Sequence, residues 1–158
     1  MAAENLPSSA ELSEQLDALQ FAALSADDAV RLGVIAAQRA LAQGLAVLIE
    51  IRLGDRVVFR AALEGTTPSN DDWLRRKFAV VHRFSQSSLA VRVRYEEQGT
   101  DFHTATGLPE SDYAVYGGGF PLMVQGVGMV GVMGVSGLPH LEDHRLIVES
   151  ITDFLADR

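Results

Sequence analysis

His140 and His144 stand four residues apart with Glu142 and Asp143 between them, a spacing that sets two imidazoles on one helix face and can hold a metal ion. The stretch lacks the glutamate position of a zinc-protease helix and offers no third ligand. The pair therefore reads as hydrogen-bonded, half-buried histidines near an interface. Arg75, Arg76 and Lys77, followed by His82 and Arg83, form a cationic run. Its heads are either solvated over apolar stems or form a clamp for a carboxylate or a propionate. Gly117, Gly118 and Gly119, between Tyr116 and Phe120, also have two readings. They bend the chain where it enters a sheet, or they floor an anion site with backbone N–H groups. Ser136 follows Val135 but lies outside a Gly-x-Ser-x-Gly elbow, and no nucleophile–base pair is apparent, so no catalytic residue is assigned.

Gly126 to Gly131 spells the dinucleotide-binding pattern by letter. Val and Met continue where a helix should open, so the match is a false positive. Met123, Met129 and Met133 follow the strand period and read as core or interface filler. The chain has no Cys-x-x-Cys-His for covalent haem attachment.

Thirteen basic against twenty-one acidic side chains leave a net charge of −8 in 158 residues. That balance repels phosphate backbones and anionic lipid, so neither nucleic acid nor a membrane surface is an expected partner. The absence of cysteine excludes disulfides, thiolate catalysis and cysteine-held metals, and fits a reducing compartment. No basic n-region with an apolar h-region is read at the N-terminus, and a cytoplasmic location is expected. Gly117 to Leu138 is long and apolar enough to suggest a membrane span. Its proline, β-branched residues and glycines make a poor helix and a good buried hairpin.

The elements that must position these groups follow from capping and periodicity. Ser8 with Glu11, Ser25 with Asp28 and Ser69 with Asp72 each mark a helix start. The first helix carries Leu12, Leu16 and Leu19 on one face. The second carries Val30, Val34, Ala37 and Leu41 as its expected inward stripe, and the third carries Leu74, Phe78 and Val81. Residues 46–53 and 56–63 read as strands joined at Gly54–Asp55. Residues 88–98 have two readings: Ala90 to Tyr95 alternates like a strand, whereas Ser88 as N-cap and Gly99 as terminator favour a short helix. Residues 99–112 read as an exposed loop, and 113–116 as a short strand. A hairpin of Phe120–Gln125 and Val127–Ser136 follows, then a helix from Pro139 with Ile147, Val148, Ile151, Phe154 and Leu155 inward. The pattern predicts an α+β domain over residues 25–158 with a helical arm over 1–24.

Several blocks occur in fixed order: Trp73–Lys77, Ser87–Ser88, Tyr113, Gly117–Pro121, Val135–Pro139 and Glu142–His144. Together they resemble the uncharacterised family grouped with the haem-degrading-domain proteins (HbpS-like, GlcG-like), over about residues 25 to 158. The resemblance implies a profilin-like, five-stranded antiparallel sheet covered by helices, assembling into homo-oligomers. Relatives of that family include a secreted haem-binding sensor component, proteins encoded with glycolate or glycerol utilisation enzymes, a domain joined to a cobalamin adenosyltransferase, and a branch linked to tail-anchored proteins. Such diversity keeps fold separate from function. The expected role is an oligomeric module binding a small molecule, such as a carboxylate or tetrapyrrole, or a protein partner. The site would comprise Tyr116, Gly117, Gly118, Gly119, Phe120, Arg75, Arg76, Lys77, Ser136 and His144. The alternative is haem binding with slow haem degradation, using one of the four histidines as axial ligand.

Overall fold

The structure is a computed structural model, and it describes residues 4–157. Residues 1–3 of the expected arm and residue 158 of the expected domain lie outside the described residues. Among the described residues, six helices and four strands follow in the order α1 (Ser9–Ala18), α2 (Ala26–Ala42), β1 (Leu48–Leu53), β2 (Arg56–Ala62), α3 (Pro68–Phe84), α4 (Ser88–Glu97), α5 (Phe102–Thr106), β3 (Gly119–Val124), β4 (Gly128–Ser136) and α6 (His140–Ala156). The strands form one antiparallel sheet ordered β2-β1-β4-β3. The chain is α+β, as the sequence predicts.

Capping chemistry sets two helix starts as expected. Ser8 and Ser25 each accept the N–H three residues on, while Glu11 and Asp28 reach back to the serine N–H. The third start is corrected. Thr67 is the N-cap, Pro68 occupies the first turn, and Asn70, not Asp72, accepts the cap N–H at 2.9 Å. Proline suits that position because its missing donor is an orphan there anyway. The fourth helix is capped by Ser87, one residue before the expected Ser88.

The sheet has four strands where five were expected. Residues 113–116 do not pair with a strand, because their backbone groups find partners on helices. The Ala114 N–H donates to the Arg76 carbonyl, Arg92 donates to the Val115 carbonyl, and the Ser88 hydroxyl donates to the Tyr116 carbonyl. Part of the expected exposed loop is instead α5, opened by Asp101 accepting from Thr104 N–H and closed by Gly107 in the left-handed region. Its Phe102 is buried against Phe84, Tyr95 and Tyr113. Residues 117–138 make the glycine turn and the β3–β4 hairpin, and no helix among the described residues is long and apolar enough to cross a membrane.

Helices α2 and α6 cover one sheet face, where Ile49, Ile51, Phe120, Leu122, Met133 and Val135 form the main core. The inward face of α2 is not the expected one. Ala29, Leu32, Gly33, Ala36 and Ala40 are buried, whereas Val30, Val34 and Leu41 are exposed. Small residues win because they let the helix approach the sheet: a Cβ on Gly33 would fall 2.3 Å from the Phe59 ring.

Helix α3 covers the opposite face, packing Leu74, Phe78 and Val81 against Leu48 and Val132. Gly119 and Gly134 face each other across β3 and β4 beneath it. A Cβ at Gly134 would sit 2.4 Å from Leu74 Cδ1 and 2.6 Å from Phe78 Cε1. The free edge of β3 is met at one end by Phe21, which exchanges 2.8 Å backbone bonds with Met123 and Gln125. We expect Gly134→Ala to cost about 1–3 kcal/mol by forcing α3 off the sheet, read as a lower denaturant midpoint at unchanged slope.

Candidate functional site

The same close approach of α3 builds a pocket at the end of the sheet. Asn70, Trp73 and Lys77 recur at helical spacing on α3 and share one face. Strand β4 delivers Ser136 before Gly137 and Leu138, and the first turn of α6 delivers His140 and Asp143. With Tyr116 these nine residues line a cavity of about 460 Å³.

At its inner wall lies a buried ion pair. Lys77 Nζ donates to Asp143 Oδ2 at 3.1 Å and to the Val135 carbonyl at 3.0 Å. The two side chains are only 4% and 2% exposed. Asp143 Oδ1 accepts the Leu138 N–H at 2.9 Å. Burial pushes the Lys77 ammonium below its usual pKa and the Asp143 carboxyl above its own, each opposed by the charge of the other. Both shifts favour moving a proton from nitrogen to oxygen. Lysine has three N–H donors, two of which are committed here.

The glycine turn makes room for this pair. Gly118 has φ +120°, and a Cβ there would lie 2.7 Å from Lys77 Nζ and 2.3 Å from the Val135 carbonyl oxygen. Gly117 N–H donates to His140 Nδ1 at 2.9 Å, and Gly119 N–H donates to the Ser88 hydroxyl at 3.0 Å. His140 thus carries its proton on Nε2 and donates it to Glu4 at 2.7 Å.

Of the residues expected from sequence, Lys77, Tyr116 and Ser136 line the pocket, with Gly117–Gly119 packed behind them. Phe120 is buried in the main core. Arg75 bonds Asp72 and the Ser111 carbonyl, whereas Arg76 bonds Asp72 and the Glu110 carbonyl. The Arg75 hydrogen bond holds the Asp72 carboxyl below its usual range, aided by Arg76. Arg76 also lies 4.0 Å over the Trp73 ring and lines a separate groove of about 580 Å³ with Arg92 and Tyr113. Trp73 and Tyr116, in edge contact at 5.5 Å, border both cavities. His144 faces α1: its Nε2 meets Gln15 Oε1 at 2.7 Å, and its Nδ1 has no hydrogen-bond partner among the described residues. Among the described residues no group of three or more His, Asp or Glu is placed to hold a metal ion.

Asn70, Trp73, His140 and Asp143 were not in the expected set. One signal in the sequence points to the centre of the site. Lys77 is the sole lysine of the chain, and the other twelve basic side chains are arginine.

Residues 24–152 match the family described as haem degrading protein HbpS-like. A UPF0303 protein of Streptomyces coelicolor is 41% identical over 155 residues, covering 98% of each chain. The crystal structure of Ybr137w protein superposes with a TM-score of 0.84 at 23% identity, covering 94% of this chain and 88% of that one. A structure described as a PduOC:Heme complex gives a TM-score of 0.67 at 17% identity, covering 82% and 94%. At such identities the structural likeness concerns the fold.

His144 supplies a pH test of the α1 contact. Burial first, and the neighbouring His140 second, lower its pKa from 6.5 to about 4. The unfolded chain therefore binds this proton below about 6.5, and the folded chain only below about 4. Stability should fall as pH drops through that window, by on the order of 3 kcal/mol from this group. Chemical denaturation of His144→Leu across the window should show a shallower pH slope than the unsubstituted chain.

Proposed function

The chain belongs to the haem degrading protein HbpS-like family, and we propose that within it the chain acts as a binding module for a small oxygen-bearing molecule. The pocket of Asn70, Trp73, Lys77, Tyr116, Ser136 and His140 is the ligand site. The observation that carries this reading is the Lys77 ammonium, buried at the pocket wall with one N–H uncommitted and Gly118 cleared to admit it. Because Asp143 already balances that charge, an uncharged or singly charged ligand fits better than a dicarboxylate. Trp73 and Tyr116 give the ligand an apolar wall, and Ser136 and Asn70 give it hydrogen bonds.

Residues 1–24 serve as an arm on the domain of 25–158, and copies of the chain associate. The exposed Val30, Val34 and Leu41 of α2 support a self-association face. Light scattering at micromolar concentration should give a mass above that of one chain, and a monomeric mass removes this part of the reading.

A second reading is haem binding, favoured by the likeness to the structure described as a haem complex. Calorimetry against small carboxylates, hydroxy-carbonyl compounds, flavins, cobalamins and haem separates the two. The pocket reading expects a small molecule to saturate one site, with binding lost in Ser136→Val or Trp73→Ala. The haem reading expects a shifted Soret band that one histidine substitution abolishes.

A further inference from the structure

We propose that Lys77 captures a small aldehyde as an imine, with Asp143 as the proton carrier, in the pocket walled by Trp73 and Tyr116. This rests on the pocket reading above. Three independent observations carry it.

The first is residue choice. A chain that meets every other need for a cation with arginine keeps one lysine, and places it where it is almost wholly buried. Guanidinium holds an ion pair at least as well as ammonium, but only the amine becomes a nucleophile under ordinary conditions. The second is the partner. Asp143 Oδ2 lies 3.1 Å from Nζ, within reach for proton transfer, and its other oxygen is fixed by the Leu138 N–H. Desolvation of the pair disfavours the charged form of both groups, which lowers the cost of taking a proton from the amine. The third is space. Lys77 lines a cavity of about 460 Å³ together with Ser136 and Asn70. The Asn70 amide donates to the Ser136 hydroxyl at 3.4 Å, which leaves the hydroxyl proton and the second amide proton for a carbonyl oxygen. A neutral aldehyde needs no second cation, and the pocket has none to offer.

The step balances without an outside reagent. Asp143 takes a proton from the Lys77 ammonium. The nitrogen lone pair forms a C–N bond to the carbonyl carbon while the C=O π pair moves to oxygen, which takes that proton from Asp143 and becomes a hydroxyl. The second nitrogen proton passes through Asp143 to that hydroxyl, the C–O bond breaks as water leaves, and the nitrogen lone pair forms C=N with the third proton still on nitrogen. Aldehyde plus ammonium gives protonated imine plus water, Asp143 ends as the carboxylate it began as, and no oxidation state changes.

The sole lysine makes the test clean, because the other amine is the N-terminal one. The full chain is incubated with butanal or benzaldehyde and cyanoborohydride, and adducts are read by intact mass and peptide mapping. One saturable adduct at Lys77 is expected, absent in Lys77→Arg and slowed at least tenfold in Asp143→Asn. If those variants fail to fold, the unsubstituted chain decides: benzyl alcohol, an unreactive analogue, should protect Lys77 from benzaldehyde. Adducts confined to the N-terminal amine overturn the proposal, as does Lys77 modification that neither saturates nor responds to benzyl alcohol. Calorimetric binding of benzyl alcohol without any Lys77 adduct retires the imine and leaves the pocket reading standing; absence of both retires the two together.

Discussion

Burying one ammonium group fixes how three segments of this chain meet. Nζ of Lys77 arrives from α3, its carbonyl partner from β4 and its carboxylate partner from α6. An ion out of water needs such partners in good geometry, since removing one from a buried pair costs about 3–5 kcal/mol. The spacing between helix and sheet is therefore set by a hydrogen-bond length as well as by apolar contact. Gly118 is where that demand falls on the backbone: its φ of +120° and missing Cβ admit both Nζ and the Val135 carbonyl.

The same short spacing governs the rest of the α3 face. Bare backbone at Gly134 lets Leu74 and Phe78 rest directly on β4, and at Gly119 it lets Val81, the Ser88 hydroxyl and the Lys77 carbonyl come close to β3. Away from that line, polar groups replace apolar packing. Glu50, on the α3 side of β1, is held by Arg52 at 2.7 Å and by Arg60, which also pairs with Asp71 at the start of α3. Arg52 in turn lies 5.0 Å over the Phe78 ring. The α3 face of the sheet thus carries both a glycine floor and a charge network.

Strong local signals made much of this legible. The capping boxes at Ser8 and Ser25, the Gly54–Asp55 turn and the apolar hairpin of 119–136 each carry their own conformational preference, and the structure has them. Failures occur where distant partners decide. The 113–116 segment has strand-like residues, but helix side chains and carbonyls satisfy its backbone first. On α2 the larger residues suggested the buried face, yet Gly33 and three alanines allow the closer approach. For the site, Lys77, Tyr116, Ser136 and the glycines were readable as a group because the first two flank apolar positions and the last are unusual in number. Asp143 and His140 were hidden because Pro139 begins a helix whose first turn faces two ways, and spacing alone does not say what lies opposite.

That first turn of α6 joins the pocket to residues ahead of α2. His140 borders the pocket, receives the Gly117 N–H on Nδ1 and hands its Nε2 proton to Glu4, while His144, one turn later, meets Gln15. Tyr116 stands 5.4 Å from the His140 ring on one side and beneath the Arg92 guanidinium, at 4.8 Å, on another. Arg92 itself approaches Glu4 at 4.0 Å. A movement of the Tyr116 ring therefore disturbs two groups that hold the same carboxylate. Because Glu4 has both contacts and sits at an exposed position, its bonds are individually weak, and each depends on the orientation the other partner imposes. His140 thus belongs both to the pocket wall and to the hold on Glu4, so the geometry of one constrains the geometry of the other.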